Sequence, residues 1–85
     1  MAKHSPQVVD ISKVIAATDT GRWEVNRMVK VLQRQGQIEP LQVQPYSPDM
    51  FITFREDTWG TEIIMAAKQL EWPTLLIVVM ERYEQ

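Results

Sequence analysis

The chain has 85 residues, 45% of them hydrophobic and 24% charged. That is the balance of one ordinary globular domain, with too little chain for two. Nine Lys and Arg against eleven Asp and Glu give a net charge of −2, which disfavours autonomous binding to duplex nucleic acid, where clustered positive charge must displace counterions. There are no cysteines, so disulfides and thiolate chemistry are excluded.

Residues 1–7 read as a polar, mobile leader without the apolar stretch of a secretory signal. The longest apolar run, Leu75 to Met80, is far shorter than the roughly 20 residues of a membrane span. A cytoplasmic location and no membrane partner are therefore expected. From Gln7 to Ile15, Val9 and Ile11 alternate around Asp10 as in a short strand, with a turn over Asp10 to Lys13 as the alternative. Thr18-Asp19-Thr20-Gly21 is a loop with several candidate helix N-caps.

Arg22 to Gln35 predicts a helix, because Val25, Met28, Val29 and Leu32 form one stripe at i, i+3, i+4 and i+7. Lys30 and Arg34 suit the negative end of its dipole, and Gly36 can end it in a left-handed conformation. Pro40 pushes Glu39 towards extended geometry. Leu41 and Val43 alternate with Gln42 and Gln44, so Leu41 to Tyr46 reads as a strand. Pro45 to Asp49 is a turn region, and Met50 to Arg55 a second strand of the same hairpin. Glu56 to Gly60 is a loop with Asp57, Thr58 or Thr61 as caps for a helix over Thr61 to Glu71, which Trp72-Pro73 ends. Thr74 to Met80 predicts a strand in the middle of a sheet or covered on both faces. Residues 81–85 form a polar tail. The order is β-α-β-β-α-β, which predicts a small single α+β domain over residues 8–80, with two helices packed on a mixed sheet.

Gly36-Gln37-Ile38-Glu39-Pro40-Leu41-Gln42-Val43, following an amphipathic helix, resembles the first signature of the ParB N-terminal (ParB/sulfiredoxin-like) domain family. Val29 and Leu32 match that family's helix positions. Ala66, Ala67, Leu70 and Trp72 match its second helix and its end, with Glu71 where glycine is usual, and Leu76 to Val79 matches the last strand. Counting back from Trp72 lays Gly60-Thr61-Glu62-Ile63 over the family's Gly-Glu-Arg-Arg motif, and only the glycine survives. In relatives with nucleotide-binding or nuclease activity those arginines neutralise phosphates at a helix N-terminus. Here a carboxylate and a branched aliphatic replace them, so the resemblance implies weak anion binding. The sulfiredoxin branch needs a cysteine at this turn, and there is none. The ParB-like fold is expected; no catalytic, cofactor-binding or metal-binding residue is carried over.

Other constellations are weaker. Glu56, Asp57 and Glu62 cluster around one loop as cation ligands would, but helix capping explains them more simply. His4, the single histidine, has nothing to orient it as a base, and no serine has a paired base. Trp59 beside Gly60 reads as cover for the core edge, with an exposed partner anchor or a ring that stacks on a base as the alternatives. Trp23 and Trp72 read as lids at helix ends. Arg27, Lys30 and Arg34 share one helix face, suited to phosphate contacts, although a solvated face is the commoner outcome.

The expected function is a non-catalytic ParB-like accessory domain of a plasmid or phage, serving DNA partition, maintenance or regulation through a protein partner or a homodimer. Arg55, Asp57, Trp59 and Glu62 are the candidate contacts. The alternatives are a ParB-type nuclease or nucleotide hydrolase using Arg55, Glu56 and Asp57, and a weak nucleic-acid-binding module using Arg27, Lys30 and Arg34.

Overall fold

A computed structural model describes residues 5–80; His4, most of the leader and the tail over residues 81–85 lie outside them. The elements are β1 (Gln7–Asp10), a 3₁₀ turn (Ile11–Lys13), β2 (Val14–Ile15), α1 (Arg22–Gln35), β3 (Leu41–Ser47), β4 (Met50–Thr53), α2 (Thr58–Gln69) and β5 (Thr74–Val79). They form a five-stranded mixed sheet in the order β1-β5-β3-β4-β2, with two helices packed together. The expected α+β architecture is the observed one.

The first predicted strand is two. The turn over Asp10 to Lys13 wins because Asp10 Oδ1 accepts hydrogen bonds from the Ser12 amide at 2.9 Å and the Ser12 hydroxyl at 2.8 Å, a local alternative to the strand ladder. The Ile11 amide donates to the Pro73 carbonyl at 3.0 Å. β1 then pairs antiparallel with β5 at one edge of the sheet, and β2 pairs parallel with β4 at the other. Four flat strand spacings would separate those edges by about 19 Å, yet the chain from Asp10 to Val14 reaches at most about 14 Å. The sheet therefore curls, and its two edges approach each other.

α1 is preceded by Gly21 as its N-cap, which has no side chain to bond the first turn, and is closed by Gly36, with φ 74° and an amide bonded to the Leu32 carbonyl at 2.8 Å. Only glycine enters that conformation without strain. β3 runs parallel to β5, aligning Leu41 with Ile77 and Val43 with Val79. β3 also continues through Pro45 to Ser47, three residues into the segment expected to turn; the register slips around Tyr46, and Pro48-Asp49 makes the turn. β5 lies between β1 and β3, inside the sheet as its apolar run predicts.

The core joins Val25, Met28 and Leu32 of α1 to Ile63, Ile64, Ala66 and Ala67 of α2, over Leu41, Val43, Leu75 and Ile77 of the sheet. Each large aliphatic side chain so buried contributes about 1.5–3 kcal/mol. The two alanines are fully buried, so α2 comes close to its neighbours.

Candidate functional site

The site that the sequence singles out is the start of α2. The helix begins at Thr58, three residues before its expected start, because Asp57 is its N-cap: its Oδ1 accepts from the Gly60 amide at 3.0 Å. Gly60 is then inside the first turn. A Cβ there would lie 2.9 Å from Asp57 Oδ2 and 3.1 Å from Leu41 Cδ1. The surviving glycine thus lets the cap and β3 close on the helix. Thr61, fully buried, has an Oγ1 with no hydrogen-bond partner among the described residues.

Glu62 is not at the exposed helix tip but in the second turn, buried against α1. Its Oε1 lies 4.0 Å from Arg27 Nη2. The Arg27 guanidinium also stands over the Trp23 ring, 4.9 Å from its centroid. Glu62 therefore faces a guanidinium supplied by the other helix, at the position aligned with an arginine of the family motif. Glu56, Asp57 and Glu62 are not brought together: among the described residues no group of three or more His, Cys, Asp or Glu is arranged to hold a metal. Asp57 is occupied as a cap and Glu62 faces α1.

Two surfaces flank this turn. One is an apolar groove of about 110 Å³ between α1, the loop after it and the start of α2, where Trp59, Ile38, Val31 and Ile63 converge with Met28 and Leu32. Trp59 is 43% exposed and Ile38 65% exposed. Trp59 thus covers part of the core edge and also presents an open face. The loop is pinned by Gln37, whose side-chain amide accepts from the Leu76 amide at 2.9 Å and donates to the Leu76 carbonyl at 2.7 Å. That amide acts as an extra rung of the β5 ladder where β3 has not yet begun, and it sets Ile38 outward. Arg55 and Glu56 are exposed beyond β4.

The other surface is the outward face of α1, where Arg27, Lys30 and Arg34 are all exposed as their spacing predicts. Trp23 joins them. It is not a lid, as its place at the helix start suggested, but 68% exposed. Its position on the face opposite Val25, Met28 and Leu32 was the signal in the sequence. Trp72 does pack against the core, half-buried.

This arrangement is a ParB-like domain in fold. No protein-family model matches the chain, and no curated protein matches it in sequence. Among solved structures it resembles SbnI with C-terminal truncation from Staphylococcus aureus, with a TM-score of 0.77 at 10% identity over 91% of this chain and 31% of that one. It also resembles the C-terminally truncated chromosome-partitioning protein ParB from Caulobacter crescentus complexed with CTP-γ-S, with a TM-score of 0.70 at 19% identity over 94% of this chain and 46% of that one. The chain thus spans less than half the length of either protein. No helix among the described residues is long and apolar enough to cross a membrane.

Proposed function

We propose that this ParB-like domain is non-catalytic and works through protein contacts at the groove beside Trp59. The observation that carries the reading is the pairing of that groove, with Trp59 and Ile38 exposed at its rim, with a helix start capped by the Asp57 carboxylate, while Glu62 one turn on faces Arg27 of α1. The ParB structure similar to this chain holds a nucleotide analogue. A triphosphate at the start of α2 would meet the Asp57 carboxylate and find no guanidinium supplied by α2 itself. An exposed tryptophan over an apolar groove is instead the composition of a protein contact. The occupant is a second copy of the chain or another protein, in DNA maintenance, partition or its regulation on a plasmid or phage.

The test is sedimentation of the wild type and Trp59→Ala across a wide concentration range, with Mg²⁺, DNA and CTP or ATP turnover assayed in parallel. Self-association that Trp59→Ala abolishes, with no turnover, supports the reading. A concentration-independent monomer that also retains no partner in pull-downs, or turnover lost on Asp57→Ala, contradicts it.

A further inference from the structure

We propose that the outward face of α1 binds single-stranded nucleic acid, with Trp23 stacking on a base and Arg27, Lys30 and Arg34 contacting phosphates. The charge of the chain is unevenly placed. Although acidic groups outnumber basic ones overall, the 14 residues of α1 carry Arg22, Arg27, Lys30 and Arg34 against the single carboxylate of Glu24. Arg27, Lys30 and Arg34 follow one another along the exposed face, with spacings of about one turn. Trp23 lies on the same face one turn before Arg27, and the stripe from Trp23 to Arg34 is about 16 Å long.

The stripe is also shaped. Trp23, Asn26, Arg27 and Lys30 line a shallow concavity of about 350 Å³. The Arg27 guanidinium over the indole holds a cation beside an aromatic face, and Glu62 approaches the same guanidinium from α2. Asn26 adds an amide that can both donate and accept at a base edge.

The chemistry selects the ligand. A large indole left two-thirds in water on the face opposite the core contributes little to folding. A base gives it a π face, and the attached phosphates give each cation a partner along the same line. A duplex hides those faces inside its stack. An acidic peptide would satisfy the cations but bring no aromatic ring to the indole. The proposal is independent of the Trp59 groove, which lies on another face of α1.

Fluorescence anisotropy with a labelled oligothymidylate of about a dozen nucleotides, a length suited to one small domain, tests it on the full chain. The wild type should bind single strands more tightly than a matched duplex. Three phosphate contacts predict that log K falls with log salt with a slope of about −2. Trp23→Ala should weaken binding by about 5- to 100-fold and Trp23→Phe by much less, because stacking is what is lost. Lys30→Ala and Arg34→Ala, both at exposed positions, should each flatten the slope by about 0.7. The proposal is overturned by any of four results: no saturable binding at low salt, duplex bound as tightly as single strand, affinity unchanged in Trp23→Ala, or polyglutamate displacing the oligonucleotide at equal charge concentration.

Discussion

Arg27 of α1 and Glu62 of α2 meet at 4.0 Å across the helix–helix contact, the carboxylate side chain 10% exposed and the guanidinium 58% exposed. The Glu62 carboxylate is thus turned inward on the neighbouring helix rather than out at the start of α2. Because the guanidinium is largely solvated, the pair itself is worth little, about 0.2–1 kcal/mol. A double-mutant cycle with Arg27→Ala and Glu62→Gln, read by urea unfolding, should give a coupling energy in that range. Arg27→Ala alone should cost about 1–2 kcal/mol, because contact with the Trp23 ring is lost too.

Glu71 is the one non-glycine residue with positive φ among the described residues, at 61°. It follows the last turn of α2, where its amide bonds to the Lys68 carbonyl at 3.0 Å and the Trp72 amide to the Ala67 carbonyl at 2.9 Å. That is the paired hydrogen-bond pattern for which glycine is the usual residue. Glu71→Gly should therefore stabilise the domain by about 1 kcal/mol, since an L side chain pays a left-handed penalty of about that size. Thermal unfolding would show it as a raised midpoint with unchanged fold.

Gln37 holds both backbone groups of Leu76 through one side-chain amide. Gln37→Ala leaves that amide and carbonyl without their partner and should cost about 2 kcal/mol. Gln37→Glu should cost more at neutral pH, since it sets a charged oxygen against the Leu76 carbonyl oxygen where the amide donated at 2.7 Å. Hydrogen exchange of the Leu76 amide is the local readout, and it should quicken in both variants.

The helices were the most legible part of the chain. α1 has the bounds that its apolar stripe and Gly36 predict, and β5 lies inside the sheet as its unbroken apolar run implies. What the sequence left open depends on contacts between distant residues or on choices between local hydrogen bonds. Asp10, Ser12 and Pro73 together split the first strand, and the Pro73 contact has no local signature. The Asp57 cap moved the start of α2 forward and drew Glu62 from the helix tip into a buried turn. The alliance of Gln37 with β5 spans 39 positions and could not be read from spacing. Trp23 stands next to a helix start in the sequence, but its angular position sets it away from Val25, Met28 and Leu32, and it is exposed.

Asp10 carries a pH signature. Hydrogen bonds from the Ser12 amide and then the Ser12 hydroxyl hold its carboxyl below the ordinary aspartate range, with Lys13 adding a smaller pull. Because the folded value lies below the unfolded one, the stability that this cap lends is present above the ordinary range. It is lost as pH falls through the lowered value. An NMR titration should find the Asp10 midpoint lowered in the wild type and returned towards the ordinary value in Ser12→Ala.

Asp57 is the cap on which the reading of α2 turns. Asp57→Ala should cost about 1 kcal/mol, and Asp57→Asn less, because the amide oxygen still accepts from the Gly60 amide. Urea unfolding measures both.

Whether the start of α2 seats a phosphate is tested most directly by an NMR titration with CTP and Mg²⁺ followed at the amides of Gly60, Thr61 and Glu62. The account predicts that these amides stay in place up to about 1 mM nucleotide, the weak end of specific affinity, whatever moves at Trp23. Saturable shifts of the three amides at micromolar nucleotide would contradict it.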